Sequence, residues 1–188
     1  MNNIKEFMQM EKDFGLPHAE IWRCVAGYEG LYRVSNLGNV MNSRTRKVLK
    51  KSESNKGYWT IGLWRNNKRK CFQIHRLIAI AFLCNLTKKQ CVDHINHDRK
   101  DNNLLNLRWS TMQENNQNKS LSKNNTSGSI GVSWNSQNHK YQSYIMFNRK
   151  KKSLGYYLSL EEAVAARRKG EIKYFGEFRN KESHYGMY

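Results

Sequence analysis

Residues 92–118, VDHINHDRKDNNLLNLRWSTMQENNQN, decide how the rest of the chain is interpreted. The stretch opens with a carboxylate beside an imidazole, Asp93-His94, and continues through a loop rich in Asn and Asp. Residues 106–109 have the pattern of a short strand, and a helix is expected after them with Asn115 near its middle. A base and an oxygen ligand at one end of this unit, with a second oxygen returning from the helix, suit hydrolysis of a phosphodiester.

This pattern resembles the HNH nuclease motif, a ββα-metal fold, and more narrowly the HNH homing endonucleases encoded within bacteriophage introns and intergenic regions. The residues that carry the resemblance are Asp93-His94, Asn102-Asn103-Leu104, Asn106-Leu107-Arg108-Trp109 and Asn115. The last motif residue is Asn115, where some members of the family have His. Each residue alone would be interpreted as part of a solvated turn or a helix surface, so the joint pattern carries the inference.

The resemblance implies a catalytic role for each of these side chains. His94, a neutral imidazole with an ordinary pKa near 6.5, would take a proton from the attacking water. Asp93 and Asn115 would supply oxygen ligands to one Mg²⁺ or Mn²⁺ ion, with phosphate oxygens and water completing its shell. Asn106 would be structural, hydrogen-bonding across the loop and so orienting His94. The family resemblance also implies products with a 3′-hydroxyl and a 5′-phosphate.

Two features of the stretch leave the site open. Adjacent strand residues point to opposite faces, so Asp93 and His94 share one site only if the chain twists or the strand ends there. His97 and Asp98 are further possible ligands in the loop, although loop polarity is the simpler explanation for both. Residues 101–103, Asp-Asn-Asn, are expected to shape the loop through bonds to their own backbone.

The charge of the chain indicates a polyanionic partner. Its 188 residues include 33 Lys and Arg against 15 Asp and Glu, a net charge of +18 spread along the sequence. Double-stranded DNA is the expected partner, and no obligate protein partner is expected for a monomer. A membrane surface is the other option, but no apolar run is long enough to span a bilayer. The N-terminus lacks the pattern of a signal peptide, so we expect a cytoplasmic protein of a phage-infected bacterium.

The first segments are expected to be a leader, residues 1–20, and a β-rich module, residues 21–70. In the leader, Ile4, Phe7, Met8 and Met10 are spaced for one side of a short helix. The module resembles the small β unit that often precedes HNH motifs in homing endonucleases. The residues that match are Trp22, Gly27-Tyr28-Glu29-Gly30, Tyr32, Val34-Ser35-Asn36 and Gly38. It ends in a basic hairpin whose expected DNA contacts are Arg65, Lys68, Arg69 and Lys70.

Residues 71–118 are expected to form the nuclease core, beginning with a strand that enters an apolar helix. The expected core positions of that helix are Ile74, Leu77, Ile78 and Phe82. Within it, His75 is expected to be a packed, hydrogen-bonded histidine rather than a metal ligand. Arg76 is a further candidate for phosphate contact. The four cysteines, Cys24, Cys71, Cys84 and Cys91, form no C-x-x-C pair, so reduced and partly buried thiols are expected rather than a zinc site.

A polar linker, residues 119–126, precedes a unit of three strands and one helix over residues 127–180. Ser159 is expected to cap the helix, with Glu162 three residues later. The packed side of that helix is expected to include Ala163, Ala166, Ile172 and Tyr174. The order of elements, with Gly-Val-Ser-Trp and Leu-Gly-Tyr-Tyr, resembles the APETALA-type DNA-binding domain. On the sheet face that the helix leaves free, the expected DNA contacts are Trp134, Lys140, Gln142, Tyr144, Lys151 and Ser153.

The sequence therefore predicts a modular α+β protein: a β-rich N-terminal module, a ββα-metal HNH core, and a three-stranded antiparallel sheet with a helix. Its expected function is metal-dependent cleavage of double-stranded DNA at a specific site, as a homing endonuclease. Nicking is the simpler expectation for a monomer with one site, although a double-strand break stays open. The alternatives are a sequence-specific DNA-binding regulator with a silent nuclease core, and a nuclease specific for branched DNA or RNA.

The net charge leads to a first testable outcome. Because phosphate contacts release counterions, the affinity for DNA should fall steeply as salt concentration rises. Fluorescence anisotropy of a labelled duplex at several salt concentrations measures this dependence. An affinity that does not change with salt would contradict the assignment of a DNA-binding surface to the basic residues.

Overall fold

The computed structural model of the chain describes residues 3–13, 19–118, 121–122 and 124–180. The helices are α1 (Asn3–Asp13), α2 (Ile74–Phe82), α3 (Met112–Gln117) and α4 (Leu160–Phe175). The strands are β1 (Trp22–Cys24), β2 (Tyr32–Ser35), β3 (Val40–Asn42), β4 (Ser52–Glu53), β5 (Trp59–Arg65), β6 (Lys68–Gln73), β7 (Cys91–His94), β8 (Leu107–Ser110), β9 (Val132–Asn135), β10 (Lys140–Phe147) and β11 (Lys150–Tyr157). Short 3₁₀ turns cover Leu104–Asn106 and Gly176–Phe178.

The strands form small antiparallel sheets, so the fold is a mixture of α and β elements. Their orders are β1-β2-β3, β4-β5-β6, β7-β8 and β11-β10-β9. The chain divides into two compact units, Met1–Thr111 and Met112–Tyr188. Helix α3, which carries Asn115, therefore belongs to the second unit. It starts at Met112, slightly later than the sequence pattern predicts, because β8 continues through Ser110.

One hydrophobic core runs through the first unit. It extends from Met8 of α1, through Val34 of β2 and Leu63 of β5, to Ile78 of α2 and Leu107 of β8. The expected core positions Ile74, Leu77 and Ile78 are buried, and Phe82 packs against the cluster. The β-rich module and the start of the nuclease core thus share one interior across residue 70. In the leader helix Met8 is fully buried, while the side chains of Phe7 and Met10 lie outside the described residues.

The basic hairpin of β5 and β6 follows from its two-residue turn. Arg65 pairs with Lys68 across Asn66 and Asn67, which have φ angles of 50° and 58°. Consecutive positive φ values match the tight turn that suits the twist of antiparallel strands, and Asn tolerates that conformation. Ile61 and Leu63 of β5 face the core, whereas Trp64 is exposed, and the turn projects Arg and Lys into solvent.

In the second unit, α4 packs on one face of the β9-β10-β11 sheet. The predicted cap is present, since Ser159 Oγ accepts a hydrogen bond from the Glu162 backbone N–H at 3.1 Å. Ala163 is buried against Val132 of the sheet. Ile172 was expected on the packed side but is 58% exposed. The buried face passes through Gly170 and Glu171 instead, so Ile172 points outward.

The core assignment can be tested with two leucines. Leu63 is fully buried, whereas Leu86 is 88% exposed. Leu63→Ala should lower the free energy of unfolding by about 2–5 kcal/mol, because it removes buried methyl groups and leaves a cavity. Leu86→Ala should change it by less than about 0.5 kcal/mol. Urea unfolding measures both values, and equal losses would exclude Leu63 from the core.

Candidate active site

The hairpin of β7 and β8 positions the predicted metal ligand Asp93 and the predicted base His94. Asp93 pairs with Arg108, and His94, the last residue of β7, pairs with Leu107. Both polar side chains are 5% exposed. Burial of such groups is unfavourable unless hydrogen bonds replace those made to water. The stability of this hairpin therefore depends on the contacts that Asp93 and His94 make with neighbouring residues.

Asn106 ties together the loop between the two strands. Its side-chain nitrogen donates to the Asp101 carbonyl at 2.8 Å, and its side-chain oxygen accepts from the Asn96 N–H at 2.9 Å. Its carbonyl accepts from the Ile95 N–H at 2.9 Å. Asn106 thus lies where the resemblance places it, hydrogen-bonding across the loop that begins directly after His94. The loop's own Asn and Asp side chains satisfy further backbone groups.

A hydrogen bond to Asn102 orients His94. The His94 Nε2 atom lies 3.1 Å from the Asn102 side-chain oxygen, and Asn102 is itself 4% exposed. An amide oxygen only accepts, so this contact assigns the proton to Nε2 and the lone pair of the neutral ring to Nδ1. Asn102 was predicted only to shape the loop. The one sequence signal for its contact with His94 was its place in the Asn102-Asn103-Leu104 motif.

Burial keeps His94 neutral. Loss of water around the ring lowers its pKa, and the Asn102 bond and the carboxylates of Asp93, Asp101 and Asp98 oppose this more weakly. The net effect is a pKa below the usual value. A neutral ring with a lone pair can accept a proton near neutral pH, as a general base must.

Arg108 holds the carboxylate of Asp93. Its Nε and Nη2 atoms both donate to Oδ2 of Asp93, at 2.9 and 2.7 Å. The side chains are 12% and 6% exposed, so this is a buried ion pair. Sequence reasoning missed the contact, although cross-strand neighbours are the usual partners in a hairpin.

Asp93 is the one predicted metal ligand whose surroundings the first unit defines, and its carboxylate is of the type that a hard divalent cation prefers. Mg²⁺ in proteins typically takes one or two carboxylates together with water and substrate phosphates. Asp93 supplies a buried, oriented carboxylate of this kind. Within the described ranges, no group of three His, Cys, Asp or Glu side chains could hold a metal by itself. Asn115, the second predicted ligand, lies half-buried on α3 in the second unit, and its role stays a prediction.

Two further rings cover His94. The ring of His75 on α2 lies edge-on to His94, with centroids 5.0 Å apart, and Tyr58 lies 5.0 Å from His75 and 6.0 Å from His94. His75 is buried, as expected, but its Nδ1 atom has no hydrogen-bond partner among the described residues. The expected hydrogen bond is therefore not made at Nδ1 within this part of the chain. Neither Tyr58 nor His75 was proposed as a site residue from the sequence.

The predicted DNA contacts of the first unit are exposed. Arg65, Lys68, Arg69 and Lys70 lie at the end of the β5–β6 hairpin. The Arg65 guanidinium donates to the Gly27 carbonyl, which anchors one side of this basic surface. Arg76 is exposed on α2 and donates to the Gln90 carbonyl at 3.3 Å.

The strand register of the second unit shows on which face of the sheet each predicted DNA contact lies. Trp134 pairs with Tyr141, their ring centroids are 4.9 Å apart, and Tyr141 packs against the cluster beneath α4. Trp134 therefore lies on the helix side, and its expected position on the free face is wrong. The alternation and pairing of strand residues place the remaining candidates on the opposite face: Lys140, Gln142, Tyr144, Lys151 and Ser153.

The cysteines differ from expectation in their exposure. Cys24, Cys71 and Cys84 are exposed, and Cys91 is half-buried. The first three were expected to be partly buried, but their strand or helix-end positions face solvent. Among the described residues, no helix combines the length and apolar character needed to cross a membrane.

Comparison with known proteins defines the class of the nuclease segment. Residues 20–64 match the NUMOD4 motif and residues 72–117 match the HNH endonuclease family. Two successive segments of this chain are thus similar to a NUMOD4 motif and to an HNH endonuclease domain.

Proteins of viruses are similar to this part of the chain. DNA endonuclease I-HmuI of Bacillus phage SP01 is 45% identical over 95 residues, which are 50% of this chain and 54% of that protein. The uncharacterized HNH endonuclease L247 of Acanthamoeba polyphaga mimivirus is 42% identical, over 52% of this chain and 25% of the relative. A solved structure of DNA binding and cleavage by the HNH homing endonuclease I-HmuI is similar with a TM-score of 0.50 and 41% identity. It covers 52% of this chain and 56% of that chain. The chain thus spans about half the length of I-HmuI.

The buried His75 predicts a specific pH dependence of stability. Burial is the largest cause that lowers the pKa of His75 from 6.5 to about 3, and repulsion from Arg76 and from the protonated form of His94 adds to it. Below pH 6.5 the unfolded chain binds a proton that the folded chain does not, so stability falls as pH decreases toward 3. Between pH 7 and pH 5 this contribution is roughly 2 kcal/mol. In His75→Phe the drop over this range should be smaller by about that amount, measured by urea unfolding. An unchanged drop would contradict a neutral, buried His75.

Proposed function

We propose that this chain is a divalent-metal-dependent endonuclease that hydrolyses phosphodiester bonds in double-stranded DNA at a specific site, as phage homing endonucleases do. The observation that carries the proposal is the buried, neutral His94, hydrogen-bonded to Asn102 at 3.1 Å at the end of an HNH hairpin. I-HmuI, whose solved structure is titled as DNA binding and cleavage, supports DNA as the substrate.

In this mechanism His94 Nδ1 accepts the proton of the attacking water. The water oxygen forms a bond to phosphorus, and the bond from phosphorus to the 3′-oxygen breaks. The departing 3′-oxygen takes a proton from solvent water, which gives a 3′-hydroxyl and a 5′-phosphate. Asp93 and Asn115 would hold Mg²⁺ or Mn²⁺, which supplies positive charge beside the departing oxygen. Asn106 keeps the loop closed, and Asn102 keeps the proton on Nε2 so that Nδ1 remains the acceptor.

DNA binding is assigned to two sets of residues, one in the first unit and one on the C-terminal sheet. The hairpin residues Arg65, Lys68, Arg69 and Lys70, together with Arg76, supply positive charge for phosphates. The free face of the C-terminal sheet is proposed to enter the major groove, as in APETALA-type domains. On it, Gln142 offers an amide that suits adenine, and Lys140 and Lys151 offer cations that suit guanine or phosphate. Trp134, on the helix side, is the weakest candidate of that set.

We propose further that residues 21–70 and 127–180 act as DNA-binding modules on either side of the nuclease core of residues 71–118. A monomer with one active site would cut one strand at each encounter. Two DNA-binding modules flanking the core favour a long duplex site over a branched substrate. Binding without cleavage would instead favour a regulator with a silent nuclease core.

A pair of histidine variants tests the catalytic assignment. His94→Asn should lower kcat for cleavage roughly 10²–10⁴-fold, because it removes the proton acceptor. His97→Asn is the matched control: His97 lies three residues further along in the loop with φ 64°, a conformation that Asn tolerates. It should cleave at close to the wild-type rate. End-labelled DNA with Mg²⁺ or Mn²⁺ gives both rates, and full cleavage by His94→Asn would remove the assignment.

A further inference from the structure

The ring of His94 is enclosed by side chains from two separate segments. Tyr58 immediately precedes β5 in the NUMOD4 motif, and His75 lies in the first turn of α2. The three rings are mutual neighbours, with centroid distances of 5.0, 5.0 and 6.0 Å. His75 meets His94 at an interplanar angle of 71°, the edge-to-face arrangement that aromatic rings prefer.

The loop of the nuclease hairpin is also fastened to the NUMOD4 motif. The Arg99 guanidinium lies 5.0 Å from the Tyr58 ring centroid and donates to the Lys56 carbonyl at 2.8 Å. Lys100 forms an ion pair with Glu53 at 2.9 Å. These contacts are partly exposed and individually weak, but they involve Tyr58 itself and two residues that shortly precede it, Glu53 and Lys56.

The backbone on the other side of the loop is held more closely. The Leu104 N–H donates to the Asn36 carbonyl at 2.8 Å, and Asn36 is fully buried. A Cβ added at Gly38 would lie 3.2 Å from Cβ of Asn102. Asn102 is the residue that hydrogen-bonds His94. The NUMOD4 motif thus packs directly against the support of the general base.

We propose that Tyr58 and His75 are positioning residues for His94, and that the NUMOD4 motif supplies one wall of the nuclease site in addition to any DNA contacts. The inference rests on the proposed function. A hydrogen bond at Nε2 fixes one edge of the His94 ring, while the two covering rings restrict rotation of its plane. A general base must point at the attacking water, and small misplacements of a reacting group can cost roughly 10²-fold in rate.

Ring packing is the contact that the structure shows for these side chains. The buried Nδ1 atom of His75 has no hydrogen-bond partner among the described residues, so phenylalanine would lose no hydrogen bond at that atom. Tyr58 contacts both histidines through its ring. Phenylalanine at either position should therefore preserve the positioning, whereas alanine should abolish it.

The experiment measures kcat and KM for DNA cleavage by the full chain with Tyr58→Ala, Tyr58→Phe, His75→Ala and His75→Phe. The alanine variants should lose about 10-fold to 100-fold in kcat with KM nearly unchanged, and the phenylalanine variants should recover most of that loss. Each alanine substitution is repeated in the His94→Asn background. A residue that acts through His94 should cause no further loss there, whereas a general disturbance of the fold would lower the residual rate again.

The outcomes separate this inference from the proposed function. Alanine variants that cleave at the wild-type kcat, or that lose the same factor with and without His94, overturn the positioning role while leaving the nuclease intact. Phenylalanine variants as slow as the alanine variants overturn the packing explanation. A wild-type chain that binds DNA but does not cleave it in Mg²⁺ or Mn²⁺ overturns the proposed function itself and the inference with it.

Discussion

The bonds that Asn106 makes across the β7–β8 loop are the constraint on which the site depends. A hairpin that buries both a carboxylate and an imidazole is unfavourable unless their hydrogen bonds are replaced. Asn106 closes the loop through the Asp101 carbonyl and the Asn96 N–H. The closed loop places Asn102 against His94. The polar composition of the loop thus allows Asp93 and His94 to be buried.

The burial of Asp93 and the burial of His94 are made possible in different ways. His94 is buried as a neutral ring, since burial lowers its pKa. Asp93 is buried beside the guanidinium of Arg108, which compensates a charge that would otherwise be costly. In the proposed mechanism, the site would combine a base that is uncharged near neutral pH with an oxygen ligand held in one orientation. That combination would suit metal-assisted hydrolysis.

Local signals in the sequence predicted much of the fold. The alternation around Tyr32 and Val34, the apolar spacing in α2 and the Ser159 cap each depend on a few neighbouring residues, and the structure shows all three. The errors arose where distant contacts decide. The face on which Trp134 lies depends on its pairing with Tyr141, and periodicity alone does not show which side a helix will cover.

The candidate site likewise contains residues that the sequence predicted and residues that it did not. Asp93, His94 and Asn106 were evident because the motif places them close together in sequence. Arg108, Asn102 and the covering rings were not, because their importance comes from partners across a strand pair or in another segment. Tyr58 is 36 positions before His94, and only the shared core of the first unit brings them together.

The central claim is that a cation bound by Asp93 and Asn115 lies beside the phosphodiester that His94 hydrolyses. Crystals of the His94→Asn variant with Mn²⁺ and a duplex carrying the mapped cleavage site would test it through the anomalous signal of manganese. We predict one peak about 2.1 Å from a carboxylate oxygen of Asp93 and from the amide oxygen of Asn115, in contact with the scissile phosphate. A peak elsewhere, with Asp93 still paired with Arg108 and no manganese at its carboxylate, would contradict it.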